Sequence, residues 1–257
     1  MKIVSNYLKV YRVKMVILAL TLTSLFFSNS IAFGQSTGEL PPNVEIVGTT
    51  SVFVDDFNDN MINQNWWNDY NLGDPTVNEV NQQLEIDIPS TTSGDTFYAG
   101  YSSKFRIRGD FDVEVAFKLL TWPQNNGVRI GIIPSSLSFS PQRVSCGNGE
   151  SCNDVYLVNN GGSLSTFLDA SSHTEGKFRV TRQGSVVTGY YFDPNSSNWV
   201  QISSASKGTE DVKFSIQAWS HDSYFIDQDV TIAFDDFIVN EGQAIVSEIF
   251  VPLIVRK

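Results

Sequence analysis

"FDVEVAFKL", residues 111–119, sets Phe111, Val113, Val115 and Phe117 at every second position, with Asp112, Glu114 and Lys118 between them. A period of two is that of a β-strand, whose successive side chains point to opposite faces. The segment therefore has one face for a core and one for water. The same period recurs in "LEIDI" (84–88), "GVRIGII" (127–133), "DVYLVN" (154–159), "KFRVTRQG" (177–184), "SVVTGYYFD" (185–193), "VKFSIQAW" (212–219) and "VTIAFDDFIV" (230–239). Turn-forming clusters separate these runs, among them "SGD", "RGD" (108–110), "PQNNG", "NNGG" and "DPNSSN". No helical period appears beyond the N-terminal region. Many short strands with Gly, Asn and Ser turns predict an all-β chain folded as a two-sheet antiparallel sandwich, a jelly roll.

Outward from the strands, the chain begins with Lys2, Lys9, Arg12 and Lys14, then the apolar run "MVILALTLTSLFF" and "SNSIAFGQS". This is the layout of a secretory signal peptide, with cleavage expected near Gly34 or after Ala32, and an uncleaved anchor as the alternative. The run is shorter than the roughly 20 apolar residues of a membrane span. The expected organisation is a signal peptide at 1–34, a Pro-containing linker at 35–50, one domain at 51–240 and a tail at 241–257. The tail's apolar part is also too short to span a membrane, so none is expected once the signal is removed.

The chain has 257 residues and a net charge of −11. The leader holds four of the 17 Lys/Arg and none of the 28 Asp/Glu, so its loss deepens the charge to −15. That excess argues against nucleic acid or an anionic membrane as partner, and suits a secreted or cell-surface protein. In an oxidising compartment, Cys146 and Cys152 of "CGNGESC" are expected to form a small-loop disulfide. The two histidines, His173 and His221, lie far apart in sequence and have no evident partners for a triad or a zinc site.

Several stretches, in order, resemble the concanavalin A-like lectin/glucanase superfamily and its family-16 glycoside hydrolases. They are "VDDFNDNMINQNWW", "YAGYSSKFRIRGDFDVEVAFKL", "GKFRVTRQGSVVTGYYFDPNSSNWVQI" and the closing "VTIAFDDFIVN". The resemblance covers about residues 51–240 and implies the fold more than the function. The glucanases carry an E-x-D-x-x-E strand, because retaining hydrolysis needs two carboxylates about 5–5.5 Å apart. "LEIDIPS" offers Glu85 and Asp87 but lies too early and lacks the third acid. "DVYLVNN" (154–160), expected in the catalytic location, has Asp154, Tyr156 and Val158 on one face and Val155, Leu157 and Asn159 on the other. It has no paired carboxylate, so hydrolysis by the family mechanism is not expected.

The resemblance also implies a structural Ca²⁺ joining the two ends of the domain. Carried onto this chain, its ligands are Asp56, Gln82 and Asp236, oxygen donors of the kind calcium takes. Glycan binding on a concave sheet face is the functional expectation, with a polysaccharide or glycoconjugate as partner. Taking the strand face opposite the core selects Tyr101, Glu114, Arg129, Tyr156, Gln217 and Trp219, with Trp122 as a wall of the groove. Aromatic faces stack on sugar rings, and the polar side chains bond hydroxyls. An enzyme with displaced acids, a hydrolase or lyase, is the alternative, and a structural or adhesive surface protein a further one.

Overall fold

The computed structural model describes residues 53–92, 96–147, 154–170, 172–220 and 225–246. The expected signal peptide and linker lie outside the described residues. Two antiparallel sheets face each other. One runs β13 (Asn198–Ser206), β12 (Val186–Asp193), β11 (Glu175–Gln183), β6 (Phe105–Thr121), β15 (Val230–Val246), β4 (Gln83–Ile88) and β3 (Thr76–Val80), with β1 (Phe53–Asp55) also paired to β15. The other runs β10 (Ser163–Asp169), β9 (Val155–Asn160), β8 (Phe139–Val144), β7 (Val128–Pro134), β14 (Phe214–Ser220), β5 (Tyr98–Ser103) and β2 (Trp67–Leu72).

The alternation of 111–119 does what its period dictates. Phe111, Val113, Val115 and Phe117 are buried between the sheets, where they join Ile130, Ile132, Phe214 and Ile216 from the facing sheet. Phe111 meets Phe214 edge to face at 5.3 Å, a preferred aromatic geometry across such a core. The polar positions of β6 turn outward, where Asp112 pairs with Arg179 and Glu114 with Lys177.

Two Asp-Asp-Phe pieces, at 55–57 and 235–237, are neighbours. β1 pairs with β15 so that Phe53 faces Val239 and Asp55 faces Phe237. Trp67, 1% exposed, closes this junction. Its ring lies 5.0 Å from Phe237, edge to face. Its Nε1 donates to Asp55 Oδ2 at 2.7 Å.

"RGD" at 108–110 is not the turn its composition suggests. β6 runs through it unbroken, because Gly109 takes φ 72° and the partner β15 absorbs the bend in bulges ending at Gly242, φ 130°. The buried Arg182 guanidinium locks this corner: it donates to Gly109 O and Glu210 O. β15 also continues to Val246, past the boundary expected at 240.

Candidate functional site

The outer face of the seven-stranded sheet is built by parity. Ile216 and Ala218 of β14 enter the core, so Ser215, Gln217 and Trp219 turn away from it. The ladder carries that face across the sheet. Trp219 pairs with Arg129 of β7, and Arg129 pairs with Val144 of β8. In the next row Gln217 pairs with Gly131, Gly131 with Gln142, and Gln142 with Leu157. Gly131 thus sits between two carboxamides. A Cβ there would lie 2.5 Å from Pro141 O, so close strand packing requires glycine, and the missing side chain leaves a trough.

Both flanking carboxamides, Gln142 and Gln217, line a groove of about 380 Å³. Trp219 stands at one end, and the Gly161–Gly162 turn, with φ of 62° and 88°, at the other. Ser140, Gln142, Asn159 and Gln217 supply its polar groups, and among the described residues no charged side chain lines it. The Tyr70 hydroxyl donates to Gln217 Oε1 and so orients that carboxamide. Gln142 is 1% exposed; its Nε2 donates to Ser140 Oγ at 2.7 Å.

Of the six residues expected to share one face, Arg129, Gln217 and Trp219 do so. Tyr101 does not: it is 2% exposed in the core, 6.0 Å from the Trp67 ring. In "YAGYSS" tyrosine occupies both parities, and the one buried is Tyr101, which leaves Tyr98 outward. Tyr156 is also in the core, fully buried, stacked on Tyr191 at 4.2 Å, with its hydroxyl 3.2 Å from His173 Nδ1. Burial pushes its phenol up to about 12. Its strand is apolar on both faces, so alternation did not reveal which side was inward. Glu114 is on the outer face of the other sheet, beside Lys177. Trp122 does not wall the groove; its Nε1 donates to Asp154 Oδ2 at 2.6 Å and its ring lies against the Arg143 guanidinium.

Gln142 and Ser140 escaped the sequence reading. Their strand, β8, carries Pro141 and is buried at every position, so it shows no period of two. The signal available was the polar spacing of Ser140 and Gln142 around Pro141. The outward positions of β7, β8, β9 and β14 carry Arg129, Gly131, Ile133, Ser140, Gln142, Val144, Val155, Leu157, Asn159, Ser215, Gln217 and Trp219. None is a carboxylate. Glu85 and Asp87 sit on the other sheet, where Asp87 accepts from Thr231 Oγ1 and Glu85 from Asn81 and Gln83.

At the end of the eight-stranded sheet, a second cluster forms from β1, β15 and the β3–β4 turn. Continuing the β1 register puts Asp56 beside Asp236, and continuing that of β4 brings Gln82 to the same end. Asp236 takes φ 47° in a bulge. Asn81 and Gln82, at φ 54° and 60°, form a two-residue turn with both residues left-handed. The Gln82 N–H donates to Asn60 Oδ1 at 2.8 Å. Burial, then the charges of Asp236 and Asp56, raises the Asp235 carboxyl above its usual range. Among the described residues no group of three His, Cys, Asp or Glu side chains is arranged to hold a metal. Any cation here would need backbone carbonyls besides Asp236. Cys146 is buried, and Cys152 lies outside the described residues. Among the described residues no helix is long and apolar enough to cross a membrane.

Sheet order, register and groove define the class: a concanavalin A-like sandwich, the fold shared by lectins and glucanases. The Bacillus licheniformis β-glucanase matches with a TM-score of 0.54 and 11% identity, over 76% of this chain and 100% of that one. A prokaryotic β-1,3-1,4-glucanase (lichenase) from a mouse hindgut metagenome matches at 0.53 and 10%, over 74% and 99%. Lectin I-B4 from Griffonia simplicifolia matches at 0.51 and 11%, over 74% and 98%. Within that fold the chain belongs to the family described as "Protein of unknown function (DUF1583) C domain", which matches residues 43–219. No curated protein matches it.

Proposed function

We propose that this chain is a secreted, non-catalytic carbohydrate-binding protein that holds an extracellular polysaccharide or glycoconjugate in the groove of the seven-stranded sheet. The observation that carries this reading is the make-up of the groove: one indole at its end, two carboxamides flanking a bare glycine and, among the described residues, no carboxylate. An indole face stacks on a pyranose ring, and carboxamides pair with hydroxyls in both directions. Glycosidic hydrolysis by paired acids has no candidates on these strands.

Two structural elements accompany the proposal. A Ca²⁺ ion held by Asp236, with carbonyls at Asp56 and Gln82, would offset the crowded carboxylates where the first and last strands meet. A Cys146–Cys152 bridge would close the loop between β8 and β9.

The test is retention of the purified protein on insoluble polysaccharides, with reducing ends measured in the supernatant. Retention without release supports binding. Release abolished by removing one carboxylate would make the protein an enzyme, and neither outcome would leave a structural role.

A further inference from the structure

Gln142 is all but fully buried in the groove, yet among the described residues its Oε1 has no hydrogen-bond partner, while its Nε2 is bonded to Ser140 Oγ. Buried polar groups are normally satisfied, and an open one is a cost to the fold that an apolar residue would avoid. Leu157, the next residue in the same row, is such a residue. On the other side of Gly131, Gln217 has its Oε1 taken by Tyr70, and its Nε2 carries two N–H donors.

We infer that the trough over Gly131 is a subsite for one uncharged pyranose unit, with one hydroxyl donating to Gln142 Oε1 and another accepting from Gln217 Nε2, so that the ligand is a neutral glycan rather than a uronate- or sulfate-bearing one. This rests on the glycan-binding role proposed above. A hydroxyl closes the open end of Gln142 whichever way the carboxamide is turned, since it both donates and accepts. A carboxylate or sulfate oxygen only accepts. Among the described residues it would meet no counter-charge in the lining, in a chain whose net charge is −11. Lys207, whose Nζ donates to Ser138 O at 3.3 Å, and Arg129 beside Trp219 stand outside the lining.

The experiment is affinity electrophoresis of the full chain in gels containing neutral β-glucan, mannan or xylan, each set against its carboxymethylated form. The wild type should be retarded by at least one neutral polymer, and about tenfold more weakly by its carboxymethylated form. Gln142→Met keeps the volume and removes the open end; it should weaken neutral binding about tenfold, the scale of one buried hydrogen bond. Its unfolding midpoint should be equal to or above that of the wild type. Equal or stronger retardation by the carboxymethylated polymers would overturn the inference and leave glycan binding standing. So would undiminished neutral binding by folded Gln142→Met. No retardation by any polymer would overturn both. Should the Met variant fail to fold, the neutral-to-charged ratio of the wild type decides.

Discussion

The Tyr70 hydroxyl donates to the side-chain carbonyl of Gln217, reaching it from the neighbouring strand but one. Between them lies Gly100, where a Cβ would strike Ile216 O and Gln217 Cα. The pair therefore depends on a glycine that permits close strand approach, and it fixes one carboxamide of the groove. Burial pushes the Tyr70 phenol up to about 12, so it stays a donor at physiological pH. Tyr70→Phe should cost about 1 kcal/mol of stability in urea unfolding. Freeing Gln217 should weaken glycan binding about two- to tenfold, the cost of ordering one side chain on binding.

Gly131→Ala should be more damaging. Its Cβ would meet Pro141 O at 2.5 Å and Gln142 Cα at 3.3 Å, so β7 and β8 must separate. A loss of about 2–3 kcal/mol is expected, with the groove filled as well. Chemical denaturation checks the first effect, and retention on polysaccharide the second.

Stability should fall as pH rises from about 5 to 8. Glu79 is 7% exposed, and burial, then the charges of Asp55 and Asp59, raises its carboxyl from 4.5 to about 7. The folded state therefore binds more protons than the unfolded between those values. The contribution is present below the unfolded pKa and lost as pH passes the folded one, at most on the order of 3 kcal/mol. Asp55, also raised by burial, acts in the same direction. Urea unfolding in chelator at pH 5 and pH 8 measures this slope, and Glu79→Gln should flatten it.

Calcium should raise the thermal midpoint of the wild type, and chelator should lower it. Asp236→Ala should remove the response to both. An unchanged midpoint in chelator, with Asp236→Ala equally silent, would dispose of the proposed site.

The architecture was legible in the sequence wherever a strand has one dry face and one wet face. "FDVEVAFKL" and "LEIDI" are of this kind, and both became strands with the expected sides inward. The meeting of the two Asp-Asp-Phe pieces was legible by resemblance. The groove was less so, because its strands are covered on both faces and the period of two fades. Tyr156 and Leu157 are both buried on opposite sides of β9, and β8 is buried throughout. Parity turned Gln217 and Trp219 outward, because Ile216 and Ala218, which alternate with them, are unmistakably core. It misplaced Tyr101, because tyrosine at both parities of "YAGYSS" offers no such contrast.

The central claim is that the groove ending at Trp219 binds glycan without cleaving it. Its most direct test is a depletion assay on insoluble neutral polysaccharides, comparing wild type with Trp219→Ala and assaying reducing ends. The account predicts that the wild type is retained on at least one polymer, that no reducing ends appear, and that folded Trp219→Ala stays in the supernatant. Equal retention of both proteins, or release of reducing ends by the wild type, would contradict it.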